Sequence, residues 1–452
     1  MLNKLLKHAT IIVFSKLSSI FGSLFFVYFM SPEIYGNYVI YISLISYLSV
    51  FSGLNFNQAY GRYLYEKEKF LPENKFGGNI YLVILFFFVI TSFISLPVFK
   101  HFLGSNLSLN LYIILTVISF TMIVETLLLQ YCIKEDKLSI GLIYFFFRSF
   151  LLFIVLFTLV IFRFSLEFIF FIEAVASIIG MVFILIYLRF IFDLNGFLFS
   201  FKYCFKYSFP LLPYSFSLIV LAQFDRLLIN NLFGSIITGI YSYIYNFGIV
   251  LSFLFGAFMN FANNEFYEVC SDFQKQSIFE IHQRKLYYKF IFISIFCVIF
   301  FYFFSVFFLP DDKKSVLAFL PIVIAAILIL SVWQIWVRIL GYFKKTYLIG
   351  IISFIAAAFC IIFLFVGFNF GLNFKFAYWV TLTSYLVMTV LGVVFVEKLD
   401  IRFVKPFFWD YLWIIFFLII SIISVFYLKV GILLFSVLFL FLLKFKFRYL
   451  KI

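Results

Sequence analysis

The sequence predicts an all-α polytopic membrane protein, built as two parallel six-helix repeats followed by a C-terminal helix pair, about 14 spans in all. Three observations carry this. Of 452 residues, 65% are hydrophobic and only 12% charged, against about 25% charged in soluble domains. Apolar runs of the ~20 residues needed to cross a ~30 Å hydrocarbon core recur along the whole chain. A shift of 203 residues lays the first six runs over the next six.

Taken in order, the runs lie near 8–30, 38–56, 79–99, 110–133, 139–162, 166–190, 207–233, 238–262, 288–309, 316–340, 347–367, 375–396, 409–428 and 430–443. The start resembles a signal peptide, with Lys4 and Lys7 ahead of an apolar stretch. Lys16 interrupts that stretch, no small-residue cleavage site follows, and the apolar character continues to Met30. It reads as a retained first span. The last pair is separated only by Lys429 and Gly431, and its final run is short. The two longest connections, 57–78 and 263–287, are mixed in charge. Each offers an amphipathic segment for a membrane surface, Tyr65 to Phe76 and Phe266 to Leu286.

Orientation follows from the basic residues. With the N-terminus inside, cytoplasmic segments hold 24 of the 34 Lys and Arg and external loops hold 6. That bias sets both termini in the cytoplasm. The same bias accounts for most of the net charge of +14, so no nucleic-acid partner is implied. The 77 Phe serve mainly as lipid-facing bulk. The five cysteines form no external pair, so no disulfide framework is expected. His8, His101 and His282 are scattered at membrane edges without metal-ligand spacing, and no metal or cofactor is expected.

The repeat is visible where Ile34-Tyr35-Gly36-Asn37-Tyr38 falls on Ile237-Thr238-Gly239-Ile240-Tyr241. Six spans is an even number, so both halves start from the same side, with a substrate site expected at their interface. The expected organisation is an N-terminal six-helix half at 1–191 and a cytoplasmic linker at 192–206. A C-terminal half at 207–396 follows, then an extra helix pair with a basic tail at 397–452.

Seven ionisable residues interrupt the apolar runs: Lys16, Glu125, Arg148, Glu173, Asp225, Arg226 and Arg338. By insertion scales each costs about 2.5–3.5 kcal/mol at a helix centre, roughly 20 kcal/mol together, more than the ~5–15 kcal/mol net stability of a fold. They do not all face lipid. A polar, partly wet cavity inside the bundle accommodates them, as a transporter requires. Pro210 and Pro213 should bend the start of the seventh span, as hinge or as packing device, and Pro321 the start of the tenth. Amides in or beside spans, among them Asn55, Gln130, Gln223 and Asn246, suit sugar hydroxyls or helix–helix bonds.

Tyr207-Ser208-Phe209-Pro210-Leu211-Leu212-Pro213, then Asp225-Arg226-Leu227-Leu228-Ile229, Gly234 and Gly239-Ile240-Tyr241-Ser242-Tyr243 resemble the start of the second half in Wzx-type polysaccharide repeat-unit flippases. Tyr35-Gly36-Asn37-Tyr38 looks like that family's outer turn. The wider superfamily includes MATE drug exporters and the lipid II flippase. The resemblance implies a MATE-like bundle. It also implies a polyprenyl-pyrophosphate-linked oligosaccharide, of O-antigen or capsule type, as substrate, with membrane lipids and the polymerase of the same glycan pathway as partners. On that reading Lys16, Arg148, Arg226 and Arg338 are candidates for binding pyrophosphate and sugar, since Arg presents a fork that fits phosphate oxygens. Lys16 has an ordinary alternative as a snorkelling lysine, Arg226 as a salt-bridge partner, and Arg338 as an interfacial anchor beside Trp333 and Trp336. Glu125, Glu173 and Asp225 are candidates either for H+ or Na+ coupling or for pairing with the bases. The closest rival is a MATE-type exporter of cationic compounds, which would want an acidic cavity. A glycan polymerase or ligase would need a sizeable external loop, and a glycosyltransferase a soluble nucleotide-binding domain. Neither is present in the sequence, so the chain is not expected to be an enzyme.

Overall fold

The computed structural model describes residue 26 and residues 29–64, 69–103, 107–134, 138–270, 276–308, 311–342, 345–398 and 408–449. Lys16 and nearly all of the first expected span lie outside the described residues, as do residues 65–68 of the first expected amphipathic segment. The described residues are helical almost throughout, and nine helices among them are long and apolar enough to cross a membrane. Helices satisfy every mid-span backbone group internally, which a hydrocarbon environment demands. Two compact units divide the chain, residues 1–239 and 240–452.

The first unit opens with α1 (Pro32–Gly53). Ser31 caps it by accepting the Ile34 N–H, Pro32 takes the first turn, where its missing N–H costs nothing, and Leu54 ends it in a left-handed conformation at φ 42°. A short helix, α2 (Phe56–Leu64), follows. This helix takes up the first part of the long connection; of the expected amphipathic segment, residues 69–72 are non-helical and 73–76 open the next helix. In α2, Phe56, Ala59, Tyr60, Tyr63 and Leu64 are buried, so it is seated in the protein on one face. Next come α3 (Glu73–Leu103), α4 (Leu109–Lys134), α5 (Leu138–Ile161) and α6 (Leu166–Leu188). Ser165 caps α6 and Arg189 closes it at φ 47°. The stretch 192–206, read from sequence as a linker, is largely helical: α7 (Leu194–Ser208), capped by Asp193. Its buried Gly196, Ser200, Cys204 and Ser208 recur every four residues. That small-residue stripe lets α7 pack closely against α3, where Asn79 donates to Ser200 and accepts the Asp193 N–H.

A 3-10 turn at Phe209–Leu211 holds Pro210 and leads into α8 (Leu212–Cys270), which breaks at Gly234, φ 83° and ψ 172°. Only glycine adopts that backbone without strain. The second unit continues with α9 (Gln276–Phe308), a 3-10 segment Asp311–Phe319, α10 (Leu320–Tyr342), α11 (Thr346–Asn369), α12 (Phe376–Lys398), α13 (Phe408–Phe426) and α14 (Leu428–Tyr449). At 22 residues, α14 is long enough to span. It pairs with α13 and lies along α9, while α13 also touches α10.

The most extensive pairing in each unit joins corresponding spans, α4 with α6 in the first and α10 with α12 in the second. Residues offset by 203 also make reciprocal contacts inside the first unit. A Cβ on Gly36 would lie 1.9 Å from the Ser235 carbonyl oxygen, and one on Gly239 would lie 2.1 Å from the Pro32 carbonyl oxygen. Since 36 maps on 239 and 32 on 235, each contact is the image of the other, as an axis relating parallel repeats requires. Large hydrophobics such as Phe93 and Phe307 point outward, matching a lipid-facing belt.

Candidate functional site

Three helices of the first unit bring Arg148, Glu125 and Glu173 together. Arg148 lies near the middle of α5, and α4 and α6 both contact α5. Its guanidinium forms an ion pair with the Glu125 carboxylate, the two side chains being 18% and 10% exposed. Its Nη2 also donates to Ser177 Oγ at 3.0 Å. Tyr144, one helical turn before Arg148, donates its hydroxyl to Glu125 Oε1 at 3.3 Å. Glu173 sits one turn before Ser177 on α6 and interacts electrostatically with both Arg148 and Glu125. Among the described residues, its Oε2 is buried with no hydrogen-bond partner. Gly180 completes that face of α6, since a Cβ there would come within 2.5 Å of the Tyr144 hydroxyl. Tyr38 of α1, stacked on Phe170 at 5.5 Å, lies within electrostatic range of Glu173.

Among the described residues, this cluster brings two carboxylates to one guanidinium. Deep among apolar helices a charge without a counter-charge is expensive, so the ionisation of each member is coupled to the partners beside it. Tyr144, Ser177 and Gly180 were not legible as site residues, being uncharged positions in apolar helices. Their signal is helical spacing: Tyr144 stands four before Arg148, and Ser177 and Gly180 stand four and seven after Glu173.

Asp225 and Arg226 form a second polar group on α8, both buried at 1% and 2% exposure. Arg226 donates from Nη1 to Gln223 Oε1 at 3.0 Å, and Gln223 Oε1 also accepts from Ser43 of α1 at 2.8 Å. Asp225 Oδ1 accepts the Arg226 backbone N–H. Lower on the same pair of helices, Asn55 donates to Ser215 and to the Leu211 carbonyl. Gln223 and Asn55 thus tie α8 to α1 and its end. Pro210 and Pro213, by contrast, are exposed. Arg338 is half-buried on α10 of the second unit, while Trp333 and Trp336 beside it are fully buried, Trp333 against Gly392. Lys16 lies outside the described residues. Among the described residues, no three His, Cys, Asp or Glu side chains gather as metal ligands.

Known structures share this fold. A lipid II flippase, MurJ, in an inward closed conformation aligns at TM-score 0.71 and 16% identity, covering 98% of this chain and 99% of that one. A multidrug resistance MATE family transporter of the MOP superfamily, inward-facing, aligns at TM-score 0.61 and 12% identity, over 88% of this chain and 98% of that one. A MOP superfamily transporter from Pyrococcus furiosus aligns at 0.59 and 10% identity, over 89% and 96%. No curated protein matches the sequence. The family described as polysaccharide biosynthesis protein matches residues 3–262. With more than half of its length matched, and with the fold of MOP-superfamily transporters, this multi-pass membrane chain belongs to the polysaccharide biosynthesis protein family.

Proposed function

We propose that the chain is a flippase that moves a polyprenyl-pyrophosphate-linked oligosaccharide, an O-antigen or capsule repeat unit, from the cytoplasmic to the outer leaflet of the inner membrane. The observation that carries this reading is the half-buried Arg148, held between Glu125 and Ser177 with Glu173 beside it. A pyrophosphate diester bears two negative charges and competes for the guanidinium, whose fork fits phosphate oxygens. When Arg148 turns to phosphate, Glu125 and Glu173 lose their cation, and H+ or Na+ uptake restores neutrality. Release of the lipid reverses the exchange. Alternating access then carries the polar head through the bundle while the polyprenyl tail stays in the bilayer, and no bond is made or broken. Pro210 and Pro213 serve as the hinge. Arg226, Arg338 and Lys16 contribute further positive charge along the path, and Asp225 pairs or couples. The family match and the flippase fold support the reading.

A second reading has an observation of its own. The two carboxylates, Glu125 and Glu173, facing one point of the bundle suit a MATE-type, cation-coupled exporter of cationic compounds. Cells lacking the chain separate the two. Flipping predicts that lipid-linked sugars pile up on the cytoplasmic face, that the unmodified chain clears them, and that Arg148→Ala does not. Unchanged glycolipid distribution with raised sensitivity to cationic dyes would replace the flippase with the exporter.

A further inference from the structure

The first unit carries a cavity away from the charged cluster and unused by the exchange around Arg148. It has a volume of about 670 Å³ and is bordered by Tyr60, Glu73, Asn74, Tyr131, Tyr187 and Arg189. It lies where α2, the start of α3 and the ends of α4 and α6 meet. Its frame is rigid for reasons visible in the backbone. The Ile191 N–H donates to the Asn74 carbonyl at 3.2 Å. A Cβ on Gly78 would meet the Ile191 carbonyl at 2.4 Å, and one on Gly77 would meet the Phe190 ring at 2.3 Å. These close approaches pin the turn after α6 against the start of α3. Tyr131 and Tyr187 stand edge-to-face at 6.4 Å, and Tyr60 stands edge-to-face with Phe190 at 6.3 Å.

The lining combines two partly exposed aromatic rings, Tyr131 and Tyr187, with the buried Tyr60, the apolar Ile186 and Leu188, a carboxylate, an amide and a guanidinium. Lys69 forms an ion pair with Glu73, so the rim is not an acidic trap for cations. A single Arg189 does not make it a strong anion site either. Aromatic faces for C–H surfaces, with paired donors and acceptors at the edge, fit a neutral polyhydroxylated ligand. A volume in this range accommodates a small ligand. Tyr131 lies six residues beyond Glu125 on α4, ~9 Å along the helix, and Tyr187 fourteen beyond Glu173 on α6, ~21 Å. The cavity and the charged cluster are therefore stations on the same two helices.

We infer that this cavity is a sugar-binding subsite. It takes the oligosaccharide of the lipid-linked substrate while Arg148 takes its pyrophosphate. The inference rests on the flippase reading and adds to it the place where sugars are recognised. The charge bias of the sequence turns this end of the unit to the cytoplasm, since Arg62, Lys69, Lys75 and Arg189 fall in the helix ends and connections there, the side on which the substrate is made.

The test is equilibrium binding to the full chain in nanodiscs of two radiolabelled lipids. One is the lipid-linked oligosaccharide extracted from cells lacking the chain, and the other is undecaprenyl pyrophosphate without sugar. The unmodified chain should bind the sugar-bearing lipid more tightly. Tyr131→Leu/Tyr187→Leu should weaken that binding about tenfold while leaving the bare lipid within about twofold, as truncation of an aromatic anchor does. Asn74→Ala, milder at the rim, should shift the same preference in the same direction. Arg148→Gln should weaken both lipids. Unchanged discrimination in both cavity variants overturns the subsite, and so does equal loss of both lipids. The subsite is also overturned if phosphatidylglycerol in the nanodisc alone erases the preference, because the cavity then holds a lipid headgroup. If the unmodified chain binds neither lipid, the flippase reading itself fails.

Discussion

At the scale of single residues, the cluster around Arg148 separates stability from transport. Removing one partner of a buried ion pair leaves the other charged in a poor solvent and costs about 3–5 kcal/mol, whereas replacing both by apolar groups is often neutral. Arg148→Met should therefore destabilise the chain in nanodiscs by that much, seen as a lower thermal midpoint. Arg148→Met/Glu125→Leu should recover most of the loss and still fail to move glycolipid. Arg148→Lys keeps a charge without the fork and should retain stability better than it retains transport. A double variant that transports normally would make the guanidinium a structural element only. The charged members of this cluster were legible because a charge inside an apolar run stands out in any hydropathy reading. Tyr144, Ser177 and Gly180 were not, since a Tyr, Ser or Gly in a membrane helix is ordinary. Only the fold shows that α4, α5 and α6 turn them to one point. The pairing of Arg148 with Glu125 is likewise a property of which helices touch.

At the scale of elements, the reciprocal glycines make a sharp prediction. The Cβ of Gly36→Ala or Gly239→Ala would meet backbone carbonyls at 1.9 and 2.1 Å, atoms that cannot swing aside as a side-chain tip can. The start of α1 and the start of the second part of α8 must separate, at the roughly 1–3 kcal/mol typical of overpacking or more. Each substitution alone should raise the labelling of a cysteine introduced at the neighbouring Ile34 and depress transport, to a similar degree for both because the contacts are images. Gly256→Ala and Gly341→Ala meet nothing within 4 Å and should leave both readouts unchanged. Labelling that responds to one of Gly36 and Gly239 alone would break the proposed symmetry. Most spans that fall among the described residues were read well from sequence, since hydrocarbon thickness fixes their length. The elements missed, α2 and α7, are short and amphipathic, and hydropathy blurs such helices into connections. One of them carries a pH dependence. Lys75 hydrogen-bonds and pairs with Asp193 at 3.2 Å, which holds that carboxyl below the usual carboxylate range, with help from the Gly196 and Asn195 N–H groups. A depressed folded value gives a contribution that is complete above the ordinary carboxylate range and lost as pH falls through the lowered one. Amide exchange in α7 should accordingly show no change in protection from pH 8 to about 5 once intrinsic rates are removed. Exchange should rise only in stronger acid, and Lys75→Met should move that rise to higher pH.

At the scale of the whole molecule, the membrane potential decides how much work coupling must do. The class of the chain, its repeat and its family were accessible from hydropathy and a few turn residues, because these reflect the bilayer and the backbone. The cargo was not, since the sugars of the proposed substrate would be recognised by the placement of aromatic and amide groups that no spacing rule fixes. The energetics are nonetheless determined by charge. Two negative charges moving outward across 100 mV gain about 4.6 kcal/mol, at ~2.3 kcal/mol per charge, a bias of roughly three decades in the leaflet ratio. In proteoliposomes holding the sugar-bearing lipid, imposing a potential negative on the cytoplasmic side should therefore speed outward movement without any ion gradient. If Glu173 accepts an inward-moving proton when Arg148 turns to phosphate, an outside-acid pH gradient should add to that rate in the unmodified chain. Glu173→Gln, permanently neutral, should keep the response to potential and lose the response to pH. Should movement ignore the potential altogether, the transported species carries no net charge across the membrane, and the pyrophosphate reading of Arg148 falls with it.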